Sequence, residues 1–135
     1  KPSTVREGVK WLPEKNIDVF FVTLNKADKD YSPTTMYNDY SINESLFHWQ
    51  SQSTTAENSP TGQRYIHHRE RGSKVLLFVR EFKSDRMTGG AEAYTYLGTA
   101  SYVKHEGSRP MNITWKLDRP IPAKFLKKTN KLAVG

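Results

Sequence analysis

The sequence predicts a mainly β fold with minor α content, curled into a partly open β-barrel. Three observations predict it. Five or more short runs are rich in branched and aromatic residues and are bounded by Gly, Pro, Asn and Ser clusters. Little of the chain carries a helical apolar period, and one of the strand-like runs holds a mid-strand glycine, Gly98, the mark of a bulge that lets a sheet curl. The chain of 135 residues fits one domain, 1–135, with a core of about residues 7–124 and a basic tail over 125–135.

Asp18 to Asn25 is a branched and aromatic run ending in a polar cluster, which predicts a buried strand. Residues 26–38 carry Asp, Ser, Pro and Thr and read as a connection, and 39–46 reads as a short helical turn. Leu46 to Thr54 predicts a strand whose faces differ. Side chains alternate in an extended chain, so Phe47, Trp49 and Ser51 point one way and His48, Gln50 and Gln52 the other. Ser53 to Gly62 is a long Ser/Thr/Asn/Pro/Gly loop of the kind that touches ligands. Val75 to Val79 is a near-continuous apolar strand, and Ala93 to Val103 is an alternating one that contains Gly98. His105 to Pro110 reads as a turn, with Gly107 permitting it and Pro110 fixing its exit. Met111 to Leu117 alternates, with Met111, Ile113, Trp115 and Leu117 on one face, and Pro120 and Pro122 stop it. The lysine-rich end from Lys124 to Lys131 reads as a frayed tail or the start of a linker, and the start at Lys1 rather than Met suggests a piece of a longer polypeptide.

Composition narrows the function classes. Lys and Arg number 21 against 14 Asp and Glu, a net charge of +7, which favours a polyanionic partner. Cysteine is absent, which removes disulfides and thiolate metal sites and makes a reduced cytoplasm the simplest setting. No apolar run reaches the roughly 20 residues of a membrane span. The four histidines lack metal-ligand spacing, and no phosphate-cradling glycine loop or nucleophile elbow occurs, so binding without catalysis, cofactor or metal is expected.

The candidate site residues are rings, amides and cations. A glutamine donates and accepts at once and suits the edge of a nucleobase, which points to Gln50 and Gln52 around Ser51. Trp49, with Tyr40 or Tyr65, supplies stacking surface, although a large aromatic on a strand equally serves the core. Arg64, Arg69, Arg71, Lys74, Arg80, Lys83 and Arg86 outnumber the acids around them and read as a phosphate track, or as an ordinary solvated face. His67 and His68 lie beside this track, and His105 and Arg109, in a turn between two strands, are further candidate backbone contacts; Arg109 suits a phosphate or a guanine edge, or pairs with Glu106 within its turn.

The strings Met36-Tyr-Asn-Asp-Tyr40, Leu46-Phe-His-Trp-Gln-Ser-Gln52, Val75-Leu-Leu-Phe-Val-Arg-Glu81 and His105-Glu-Gly-Ser-Arg-Pro-Met-Asn-Ile-Thr-Trp115 carry a resemblance. Over about Glu7 to Lys124 the chain resembles a helicase-associated C-terminal domain that follows a superfamily-two helicase core, often behind a phospholipase-D-type nuclease, in bacterial proteins. The best understood members look like SauUSI-type modification-dependent restriction enzymes. The resemblance implies a reader of methylated cytosine in double-stranded DNA, acting with helicase and nuclease domains of the same polypeptide. It also implies a PUA/SRA-like barrel, the form of pseudouridine-synthase-associated and SET-and-RING-associated modules, with a pseudobarrel like that of plant transcription factors as the other architecture. Base flipping costs a few kcal/mol, which a basic track and an aromatic sandwich could offset. A regulatory module that docks on the helicase core and binds DNA weakly is the alternative function.

Overall fold

The computed structural model describes residues 8–25, 38–82, 87–123, 125 and 126. Seven strands form one mixed sheet: β1 (Gly8–Leu12), β2 (Ile17–Asn25), β3 (Tyr40–Ser41), β4 (Leu46–Gln50), β5 (Lys74–Phe82), β6 (Thr95–Glu106) and β7 (Asn112–Leu117). Their order across the sheet is β1-β2-β5-β6-β7-β4-β3, with β2 and β5 parallel and every other neighbour antiparallel. The fold is mainly β, and the sheet curls without closing.

The curl is measured by two rings. Phe20 on β2 and Trp49 on β4 are four strand steps apart, which in a flat sheet is roughly 19 Å. Their ring centroids lie 4.1 Å apart, with planes inclined by 19°. The sheet therefore wraps until its two ends meet through side chains. Bulges supply the curvature: the register slips between Leu77 and Phe78 opposite Gly98, whose φ of 106° needs a residue without Cβ, and again between Tyr102 and Lys104.

The inward faces follow from alternation. Phe20, Val22 and Leu24 from β2, Val75, Leu77 and Val79 from β5, and Ile113, Trp115 and Leu117 from β7 are all buried. Phe47, Trp49 and Met111 join them, as their face assignment predicts. The helical turn expected over 39–46 is instead the short strand β3 and a turn. Asn43 Oδ1 there accepts from the backbone N–H of Ser45 and of Leu46, a local bond that competes with a helix.

One helix, α1 (Pro60–Ile66), occupies part of the segment expected to be loop. Ser59 caps it through Oγ, which accepts from the Gly62 N–H at 3.0 Å, and Pro60 pre-sets its first turn. It bridges the seam of the barrel. Its Tyr65 meets Phe20, Trp49 and Trp115 edge-on, and its Arg64 binds Asp18 on β2. The expected connection over 26–37, part of the basic track (Lys83 and Arg86), and most of the basic tail lie outside the described residues.

Candidate functional site

The aromatic sandwich expected around Trp49 does not form, because its members belong to the core or to the other face. Trp49 is 5% exposed, with Phe20 on one face and the edges of Tyr65 and Trp115 around it. Tyr65 is fully buried, its hydroxyl donating to Gln52 Oε1 at 3.2 Å, and burial pushes its phenol up to about 12. Tyr40 pairs with His48 on the opposite face of β4, where the two rings stack at 4.7 Å. None of these three rings offers Trp49's face to a base.

The amides and hydroxyls are likewise committed. Ser51 Oγ donates to the Gln52 carbonyl and accepts the Met111 N–H, so this buried serine fixes backbone rather than reading a ligand. Gln52 is exposed, but its Oε1 already accepts from Thr55 and Tyr65. Gln50, half-buried, donates Nε2 to Asn112 Oδ1 at 3.2 Å, while its own N–H is held by Asp39. These bonds stitch β4 to the Ser51–Ser59 loop and to β7.

The cations divide. Arg64 makes two bonds to the buried Asp18 and lies 4.3 Å from the Trp11 ring centroid, so it is a structural clamp rather than a phosphate ligand. Arg80 is 7% exposed, donates to Thr23 Oγ1 at 2.8 Å and lies over Tyr94, which takes it out of the phosphate track as well. Arg69 and Arg71 are exposed, on the turn between α1 and β5. Arg109 is exposed and sits at φ 57°, its N–H bonded to the Thr55 carbonyl, so the two loops are clasped and its side chain faces solvent.

His105 is not free to hold a phosphate. Its Nδ1 accepts the Tyr102 hydroxyl at 2.7 Å and its Nε2 donates to Glu57 Oε1 at 2.9 Å, a hydroxyl–imidazole–carboxylate chain. Burial, with Glu57 nearby, pushes the Tyr102 phenol up, and the chain ties β6 to the loop before α1.

Sequence reasoning missed the cleft that the structure does form. It is an open cleft of about 270 Å³ between the turn at 68–74 and β6, lined by Arg69 and Lys74 and by a wall that includes Thr99 and Asp118. Its back is His68. The imidazole is buried, donates Nδ1–H to the Ser73 carbonyl at 3.0 Å and accepts the Tyr102 N–H on Nε2 at 3.1 Å, which fixes its tautomer. Burial lowers its pKa, so the ring stays neutral. Thr99 donates its hydroxyl to Asp118 Oδ2, and the Asp118 N–H returns to the Thr99 carbonyl. The one sequence signal for this wall is an acid placed between the end of an alternating strand and Pro120.

The exposed cations Arg69 and Lys74 and the carboxylate of Asp118 thus share one open cleft of the barrel-like sheet. The sequence matches the family described as "Domain of unknown function (DUF3427)" over residues 2–128, and the chain belongs to that family. No curated protein matches it. Among the described residues, no helix is long and apolar enough to cross a membrane.

Proposed function

We propose that this domain reads methylated cytosine in duplex DNA, holding one base in the cleft while Arg69, Arg71 and Lys74 meet the backbone. The single observation that carries the reading is the cleft itself. Its volume of about 270 Å³ lies just under the ~300 Å³ at which pockets for larger ligands begin, a size suited to one flat ring. A carboxylate accepts the exocyclic amine of cytosine, which is the part Asp118 would play. The net charge of +7 supplies the sequence-independent part of the affinity. The resemblance to SauUSI-type C-terminal domains supports the same reading and makes helicase and nuclease domains of one polypeptide the partners.

A buried methyl contributes about 0.8 kcal/mol, so methylated duplex should bind about fourfold more tightly than its unmethylated match. Binding of the two duplexes at two salt concentrations tests this. Equal, purely salt-driven affinity would overturn it and leave the weakly binding, helicase-docking module. Asp118→Ala gives a second test through its sign. Removing an acid from a basic surface raises affinity for any polyanion, whereas removing a base contact lowers affinity for the cytosine duplex.

A further inference from the structure

The outer face of the sheet carries a row of rings that the cleft does not use. Phe21 pairs with Phe78 and Phe78 with Tyr96, direct partners on β2, β5 and β6, so all three share one face. Phe20 points into the barrel, which makes this the outward side. Their centroids are 5.3 Å and 4.9 Å apart, with planes inclined by 28° and 37°. Exposure rises along the row: Phe21 and Phe78 are half-buried and Tyr96 is 42% exposed.

Beyond Tyr96 stands an exposed guanidinium. Arg119 Cζ lies 5.9 Å from the Tyr96 centroid. Its side chain passes over Gly98, where a Cβ would stand in ordinary contact, 3.5 Å from Nε and Nη2. The row is continuous with the cleft, because Leu76 pairs with Thr99 on the same outward face and Thr99 lines the cleft wall.

We propose that this face stacks an unpaired nucleotide of single-stranded DNA, with its base between Tyr96 and Arg119. A base inserted between two planes needs about 7 Å, twice the ~3.4 Å rise of stacked bases. The present gap of 5.9 Å falls about an ångström short, which a rotamer change of an exposed arginine supplies. The surroundings match a nucleotide in charge as well as shape: Arg119 and Lys74 are exposed cations on the same side, in a chain of net charge +7. At its exposed end the row meets the Arg119 guanidinium, while Leu76 and Tyr94 extend it beside Phe78 and Phe21. The inference goes beyond the cleft reading and needs no modified base.

The test is fluorescence anisotropy of a labelled oligothymidine of about eight nucleotides with the full 135-residue chain. Tyr96→Ala should weaken binding about five- to tenfold, the loss of one base–aromatic stack. Tyr96→Phe should stay within about twofold, and Arg119→Ala should lose less in the Tyr96→Ala background than alone. Circular dichroism and thermal melting confirm that each variant is folded. Wild-type affinity in Tyr96→Ala, or equal losses in Tyr96→Ala and Tyr96→Phe, would overturn the proposal. Sedimentation of Tyr96→Ala that turns a dimer into a monomer at unchanged oligonucleotide affinity would assign the face to a second copy and overturn it too. Failure of the methyl preference in wild type speaks to the cleft alone.

Discussion

Arg64 grips both oxygens of Asp18, with Nε 2.8 Å from Oδ2 and Nη2 2.9 Å from Oδ1, and the carboxylate it holds has no exposure to solvent. This pair joins α1 to the strand on one side of the barrel seam. Removing the guanidinium leaves a buried charge alone. Arg64→Ala should therefore cost about 3–5 kcal/mol of stability in urea unfolding. The double variant Asp18→Leu/Arg64→Leu should recover part of that loss, because no buried charge remains. A loss below about 1 kcal/mol in the single variant would mean that water reaches Asp18.

Gly62→Ala should destabilise a helix that alanine ordinarily favours. A Cβ at Gly62 would lie 2.2 Å from the Ala56 carbonyl oxygen, a backbone atom that moves only if the loop moves. We expect a loss of about 1–3 kcal/mol, read as a lower melting temperature. The intrinsic preference of a helix for alanine over glycine works the other way by about 1 kcal/mol, so the sign of the change decides which effect wins.

Arg69→Ala and Arg71→Ala should leave stability within about 0.5 kcal/mol, since both side chains are exposed. Each should weaken methylated and unmethylated duplexes equally and lower the salt slope of binding by about 1. A variant that changed the methyl preference would place its arginine at the base rather than at the backbone.

His68 makes stability depend on pH below neutrality. The unfolded imidazole titrates near 6.5 and the folded one lower, because burial disfavours the charged ring. Between those two values the unfolded chain holds the extra proton, so stability falls as pH drops below about 6.5 and stops falling once the folded ring protonates. Protonation also removes the acceptor for the Tyr102 N–H. Melting at about pH 7.5 and pH 5.5 should show a larger drop for wild type than for His68→Gln, and faster exchange of the Tyr102 amide at the lower pH.

Much of the fold was legible because strand alternation is local. The face assignment along Phe47 to Gln52 and along Met111 to Leu117 follows from the two-residue period, and both stand in the structure. The bulge at Gly98 was legible from a glycine inside a strand. β1 was not, because Gly8 to Leu12 has too few residues to show a period and acquires its strand form by pairing with β2. The helix α1 was hidden inside a polar stretch, although Ser59-Pro60 is a capping signal. The site was least legible. Trp49 and Tyr65 look like a reader's rings in sequence, but the curl that carries β4 round to β2 brings them onto Phe20. Lys74, Thr99 and Asp118 come from three separate segments, and the pairing of β5 with β6 and of β6 with β7 makes them neighbours.

Among the described residues, the two rims of the barrel, β1 and β3, are not paired to each other, and side-chain contacts span the gap: the rings, the Arg64–Asp18 ion pair and the Tyr65–Gln52 hydrogen bond. A hoop fastened by side chains on one line and by backbone ladders everywhere else has a designated place to give way. Gentle warming should loosen that fastening first, with amide exchange rising in α1 and along β1 while the β5–β6–β7 block still holds its protons.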